Sequence, residues 1–102
     1  VMADFTTAVK YDLPIKVIVF NNKELSMIRH EQAEASLPKF GVELLNPDFG
    51  SFARSCGGLG LNVNDPAELE GAIGKLLDAD KPGLLDIETD PSYYWGLNGV
   101  LK

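Results

Sequence analysis

The run Ile15-Lys16-Val17-Ile18-Val19-Phe20 constrains this chain more than any other feature. It is almost continuously apolar and rich in β-branched residues, the pattern of a strand buried on both faces in a parallel sheet covered by helices. Ahead of it, Met2, Phe5, Val9 and Leu13 recur at steps of three, four and four and predict a helix that Pro14 closes. Behind it, good helix formers run from Lys23 to about Ser36, with Leu25, Ile28 and Gln32 on one side, until Leu37-Pro38 stops them. Lys39 to Leu45 reads as an irregular connection.

The second half repeats the alternation. Asn46-Pro47-Asp48 predicts a helix start, with Asn46 as cap, Pro47 in the first turn and Asp48 against the dipole. Phe49, Phe52, Ala53 and Cys56 form its apolar stripe, and Gly57-Gly58 its stop. Leu59 to Val63 predicts a second strand. Asp65-Pro66-Ala67-Glu68 has a capping-box pattern ahead of the stripe Leu69, Ala72, Ile73, Leu76 and Leu77, and Leu84 to Ile87 predicts a third strand. Residues 91–102 read as an irregular tail. Crossovers of this kind imply parallel pairing. The expected fold is therefore α/β, a partial doubly wound parallel sheet of the flavodoxin- or Rossmann-like three-layer type. Three strands are few for such a sheet. The first helix also lacks a capping residue, so the chain reads as truncated on its N-terminal side, with apolar surface left for self-association.

Composition excludes several functions. Fifteen acidic residues against nine Lys and Arg give a net charge of −6, which leaves no basic stripe for nucleic acid. No apolar run approaches the roughly 20 residues of a membrane span. With Cys56 as the sole cysteine there is no internal disulfide, and a cytoplasmic location is the expectation. His30 sits in the charged stretch Arg29-His30-Glu31 and reads as part of a solvated face, and Cys56 as a small core residue.

In an open parallel sheet, ligands bind outside the carboxyl ends of the strands. Asn21-Asn22 holds that place. An Asn amide oxygen suits Mg²⁺ or Ca²⁺, and a helix starting near Lys23 would aim its amides at a phosphate. Two asparagines after a strand also make a plain turn and cap.

Residues 12–22, Asp-Leu-Pro-Ile-Lys-Val-Ile-Val-Phe-Asn-Asn, followed by Leu25, Met27-Ile28 and Glu31-Gln32, resemble the C-terminal cofactor-binding domain of thiamine-diphosphate enzymes over 1–90. Pyruvate oxidases are the nearest resemblance and acetolactate synthases the next. The resemblance implies thiamine diphosphate and Mg²⁺ here, with FAD bound mainly by other domains of the parent. It makes Asn22 the side-chain ligand of Mg²⁺ and the Glu24 carbonyl a second ligand, with Asn21 shaping the turn. Leu25, Ser26, Met27 and Ile28 would line the cofactor, Met27 and Ile28 keeping it dry, and Glu31 would manage proton transfers at the substrate. The family's Gly-Asp-Gly, whose aspartate binds the metal, would fall upstream of Val1, and Ser26 stands where relatives commonly have Gly. The implied substrate is pyruvate, the implied assembly a homo-oligomer, with any membrane association confined to other parts of the parent. A non-catalytic α/β binding or assembly module is the remaining alternative. The purified 102-residue chain is expected to release no CO₂ from pyruvate, and measurable turnover would contradict the reading of a partial site.

Overall fold

Residues 2–92, those described by the computed structural model, form α1 (Met2–Lys10), β1 (Lys16–Asn21), α2 (Ser26–Glu34), α3 (Phe49–Ser55), β2 (Leu59–Val63), α4 (Pro66–Asp78) and β3 (Gly83–Glu88). They divide into two compact units. One holds the described residues up to Asn21 together with Pro47–Glu88, and the other holds Asn22–Asn46 and the described residues beyond Glu88. The tail expected over 91–102 lies, from Tyr93 onward, outside the described residues.

The first unit is the α/β layer structure expected from the alternation. Its sheet runs β1-β3-β2 with both pairings parallel, so the last strand lies between the other two. Register places Val17, Leu84 and Gly60 in one row and Ile18, Leu85 and Leu61 in the next, alternating between faces. On one face Phe5 of α1 and Ala53 of α3 pack on Leu84, joined by Val9, Val17, Val19, Phe49 and Phe52. On the other, Leu76 of α4 packs on Leu85 and Val63, with Leu69, Ala72 and Ile73 completing the helix stripe. Among the described residues only β3 has strands on both edges and helices on both faces, and it is buried from Gly83 through Asp86.

The burial expected for β1 is therefore corrected. Val17 and Val19 are covered, but Ile18 is 44% and Phe20 74% exposed. The α4 stripe packs on β2 and β3, and β1, an edge strand among the described residues, keeps its second face open. The apolar run encoded a strand, not the number of layers over it.

The C-terminal ends of the first three helices close alike. α1 ends with Asp12 in the left-handed region at φ +51°, where Leu13 N–H donates to the Ala8 carbonyl and Asp12 N–H to that of Val9. In the second unit α2 ends the same way through Ser36 at φ +57°, with Leu37 N–H on Gln32 and Ser36 N–H on Ala33. In α3 Gly57 takes that role at φ +92°. These are Schellman closures. Pro14 and Pro38 follow each left-handed residue by two positions, so they lie beyond the stop rather than making it. At the other ends, Asp48 rather than Asn46 caps α3 by accepting Ser51 N–H at 2.9 Å. Asp65 caps α4 through Ala67 N–H at 3.0 Å, with Pro66 in the first turn. Lys16 Nζ satisfies carbonyls beyond the end of α4, donating to Ala79 at 2.6 Å and Lys81 at 2.8 Å.

α3 lies against β2 closely enough that a Cβ on Gly60 would overlap the Gly50 carbonyl. Gly60→Ala is therefore expected to destabilise the chain by about 1–3 kcal/mol through overpacking. Gly71→Ala, in α4 with open space around it, should stabilise by about 0.5–1 kcal/mol through helix propensity. Urea midpoints moving in opposite directions would establish both, and a tolerated Gly60→Ala would show that the close approach is not required.

Candidate functional site

In the second unit the segment after β1 is a built turn. Asn22 Oδ1 accepts the Glu24 N–H at 3.1 Å, while its Nδ2 donates to Ser26 Oγ at 2.9 Å. Both ends of the amide are thus committed and its orientation fixed. Lys23 between them adopts φ +57° without being glycine. An antiparallel bridge pairs Glu24 with Glu43: Leu25 N–H donates to the Val42 carbonyl at 2.8 Å, and Leu44 N–H to that of Lys23 at 2.9 Å. The Glu24 carbonyl takes part in neither bond. The helix expected from Lys23 consequently begins only at Ser26, because the residues before it are held by the Asx turn and the bridge. Ser26, the departure from the family pattern, is buried and serves as the acceptor for Asn22.

The Glu24 side chain turns inward and is only 4% exposed. Arg29 Nη1 donates to its Oε2 at 3.2 Å, and Lys39 Nζ lies 3.4 Å from Oε1, an ion pair without hydrogen-bond geometry. Lys39 also donates to Glu43 at 2.8 Å. That bond, ahead of the attraction of Glu24, raises the Lys39 pKa above its ordinary value, and it lowers that of Glu43. Leu25, Met27, Ile28 and Glu31 are exposed, and their side chains take no part in the bonds that build the turn. His30 departs from the solvated face expected of it: its side chain is largely covered, with Nε2 3.1 Å from Glu34 Oε1.

In the first unit Asn21 ends β1 as a buried strand residue rather than shaping the turn. Its Nδ2 lies 3.4 Å from Asp86 Oδ2, and Asn62 Nδ2 approaches the same oxygen at 3.5 Å. Asn62 also donates to Asp48 at 2.9 Å. Asp86 Oδ1 is buried without a hydrogen-bond partner. The signal for Asp86 was available in the sequence, since a lone carboxylate interrupts the apolar strand Leu84-Leu85-Asp86-Ile87. The Glu24 cluster carried no such signal. Its partners come from α2 and from an irregular segment whose pairing no periodicity reveals.

The family profile "Thiamine pyrophosphate enzyme, C-terminal TPP binding domain" matches residues 1–87. This chain belongs to that family. It is 41% identical over 87 residues to YdaP of Bacillus subtilis, provisionally named as a thiamine pyrophosphate-containing protein, covering 85% of this chain and 15% of that protein. It is 32% identical over 90 residues to the mitochondrial acetolactate synthase catalytic subunit of Aspergillus candidus, covering 87% of this chain and 13% of the relative. The chain thus spans about one-seventh of these relatives. Among solved structures, the thiamine diphosphate-dependent 4-hydroxybenzoylformate decarboxylase of Rhodococcus jostii RHA1 superposes with a TM-score of 0.73 at 22% identity, over 87% of this chain and 17% of that one. That likeness confirms the α/β fold.

Thiamine pyrophosphate carries a diphosphate, an anion that a divalent cation can neutralise, and the donors of the Asn22 turn fit part of such a site. Mg²⁺ takes hard oxygen ligands. Asn22 Oδ1, with two lone pairs, spends one on the Glu24 N–H and keeps the other. The Glu24 carbonyl is outside the bridge ladder. Both donors are neutral, and no cluster of three His, Cys, Asp or Glu suited to a metal occurs among the described residues. These donors suit a site that draws further ligands from elsewhere.

In this domain Asp48 holds a pKa of about 2, lowered first by the Ser51 N–H, then by the Ser51 hydroxyl and Asn62. A depressed carboxylate stabilises the fold above its ordinary pKa and loses that contribution as pH falls through the depressed one. The melting temperature of Asp48→Ala should thus fall below that of the parent at pH 7, the gap closing between about pH 4 and 2. A gap constant across that range would show that the charge of Asp48 is not what caps α3.

Proposed function

We propose that this chain supplies the asparagine portion of a magnesium and diphosphate site in an enzyme that acts on pyruvate, and that the parent reaction is acetolactate synthesis. The observation carrying the first part is the fixed Asn22 amide, held at Nδ2 by Ser26 and at Oδ1 by Glu24 N–H. In this reading Asn22 Oδ1 and the Glu24 carbonyl hold Mg²⁺, and Leu25, Met27 and Ile28 keep water from the reacting end. Glu31 moves protons at the substrate. Thiamine diphosphate, when bound, supplies the nucleophilic carbon and the electron sink that decarboxylation of a 2-keto acid requires. The reaction balances as two pyruvates and a proton giving acetolactate and CO₂.

Acetolactate synthesis is preferred because it is the activity named in relatives of Aspergillus candidus and of Bacillus subtilis, 32% and 29% identical to this chain. Oxidative decarboxylation of pyruvate with FAD is the second reading, favoured by the pattern Met27-Ile28 followed by Glu31-Gln32. No helix among the described residues is long and apolar enough to cross a membrane, and a cytoplasmic location is part of this proposal. The open Ile18 and Phe20 face supports burial against more of the parent or in a homo-oligomer.

Full-length protein supplied with pyruvate, thiamine diphosphate and Mg²⁺ is expected to form acetolactate. Reduction of a quinone or of oxygen without acetolactate would establish the second reading instead. Asn22→Ala should lower magnesium-dependent cofactor binding at least 10-fold. Unchanged binding would leave only a non-catalytic module.

A further inference from the structure

We infer that the buried Glu24 carboxylate is a positioning group that sets the magnesium affinity of this site. The inference rests on the proposed role of Asn22 and the Glu24 carbonyl and asks what holds them. Glu24 joins the two: its N–H fixes the Asn22 amide oxygen, and its own carbonyl is the second donor. Its backbone is flanked by the two ladder bonds from Val42 and Leu44. Its side chain is gripped by Arg29 from α2 and by Lys39 from the segment that supplies the bridge.

Three elements of the second unit therefore converge on one residue, adjacent to Lys23 in its left-handed conformation. A glutamate is rarely buried unless its charge is paired. Here the pairing does more than neutralise, because each cation belongs to a different element and the carboxylate ties them together. Mg²⁺ demands near-ideal octahedral geometry, so a small displacement of either donor weakens binding. The side chain of Glu24 need not touch the metal to control it.

The test is a calorimetric titration of the full-length protein with MgCl₂ at saturating thiamine diphosphate. Glu24→Gln should raise the half-saturating Mg²⁺ concentration about 10-fold, the usual scale for groups that orient ligands, with full cofactor occupancy recovered at high Mg²⁺. Lys39→Met should shift the same midpoint in the same direction by a smaller factor. At 40% side-chain exposure, Lys39 tolerates replacement, so this variant decides the matter if Glu24→Gln does not fold. A lowered melting temperature with an unchanged Mg²⁺ midpoint in the folded variants would reduce the cluster to a structural brace and overturn the inference. Asn22→Ala separates the two levels. If that variant keeps the parent midpoint, the assignment of the metal site fails. If it loses magnesium-dependent binding while Glu24→Gln and Lys39→Met behave as the parent, only the positioning role fails.

Discussion

Insertion of β3 between β1 and β2 is the constraint on which the first unit depends. β3 is the last strand made, yet it supplies the only pairing available to each of the other two among the described residues. Both cores are centred on it: Leu84 faces the layer of α1 and α3, and Leu85 faces α4. Neither β1 nor β2 can settle before the chain has passed through α4 and returned. A parallel sheet of this kind carries high contact order, and its stability is shared rather than local. The pairing partners of β1 lie more than sixty positions later in the chain.

Among the described residues, three other than glycine adopt positive φ. Asp12 and Ser36 do so where a helix closes, and each is compensated by two hydrogen bonds that only the left-handed conformation permits. Lys23 closes no helix. For a residue with a Cβ the left-handed conformation costs about 1–2 kcal/mol, and the surrounding bonds must offset it: the Asx turn on one side, the bridge to 42–44 on the other, and the buried ion pairs of Glu24 beneath. Such over-determination of one unfavourable residue is characteristic of functional turns. In this chain it lies between Asn22 and Glu24, the residues proposed to hold the metal.

The layered fold was readable from the order of periodicities, because apolar patterning reports which elements must be covered. β2 was legible residue for residue, and the Gly57 stop and Asp65 cap followed from local chemistry. Coverage from outside was not legible. Ile18 and Phe20 have the same composition whether a helix lies over them or not. The starts of α2 and α3 were misplaced because a better local partner won in each case: Asp48 reaches Ser51 and Asn62 together, and Asn22 captures Glu24 before a helix can begin. At the site, Asn22 and Ser26 could be named from the sequence. The bond between them was not legible, nor was the pairing of the Glu24 side chain with Lys39, fifteen residues onward in a segment without periodicity.

The electrostatics of the turn show what this chain brings to a diphosphate site. Glu24 and Glu43 are matched by Arg29 and Lys39, two carboxylates against two cations, so the cluster beneath the turn is balanced. The donors assigned to the metal, an amide oxygen and a backbone carbonyl, are also neutral. A diphosphate brought to this turn would find little net charge from these four groups, and in the proposed reading its neutralisation falls to the cation. In the proposed reading the contribution of this chain is accordingly geometric: it holds two oxygens still. That explains why an acidic chain can serve an anionic cofactor. Two of its carboxylates act within the fold, Glu24 by pairing with Arg29 and Lys39 and Asp48 by accepting the Ser51 N–H at the start of α3.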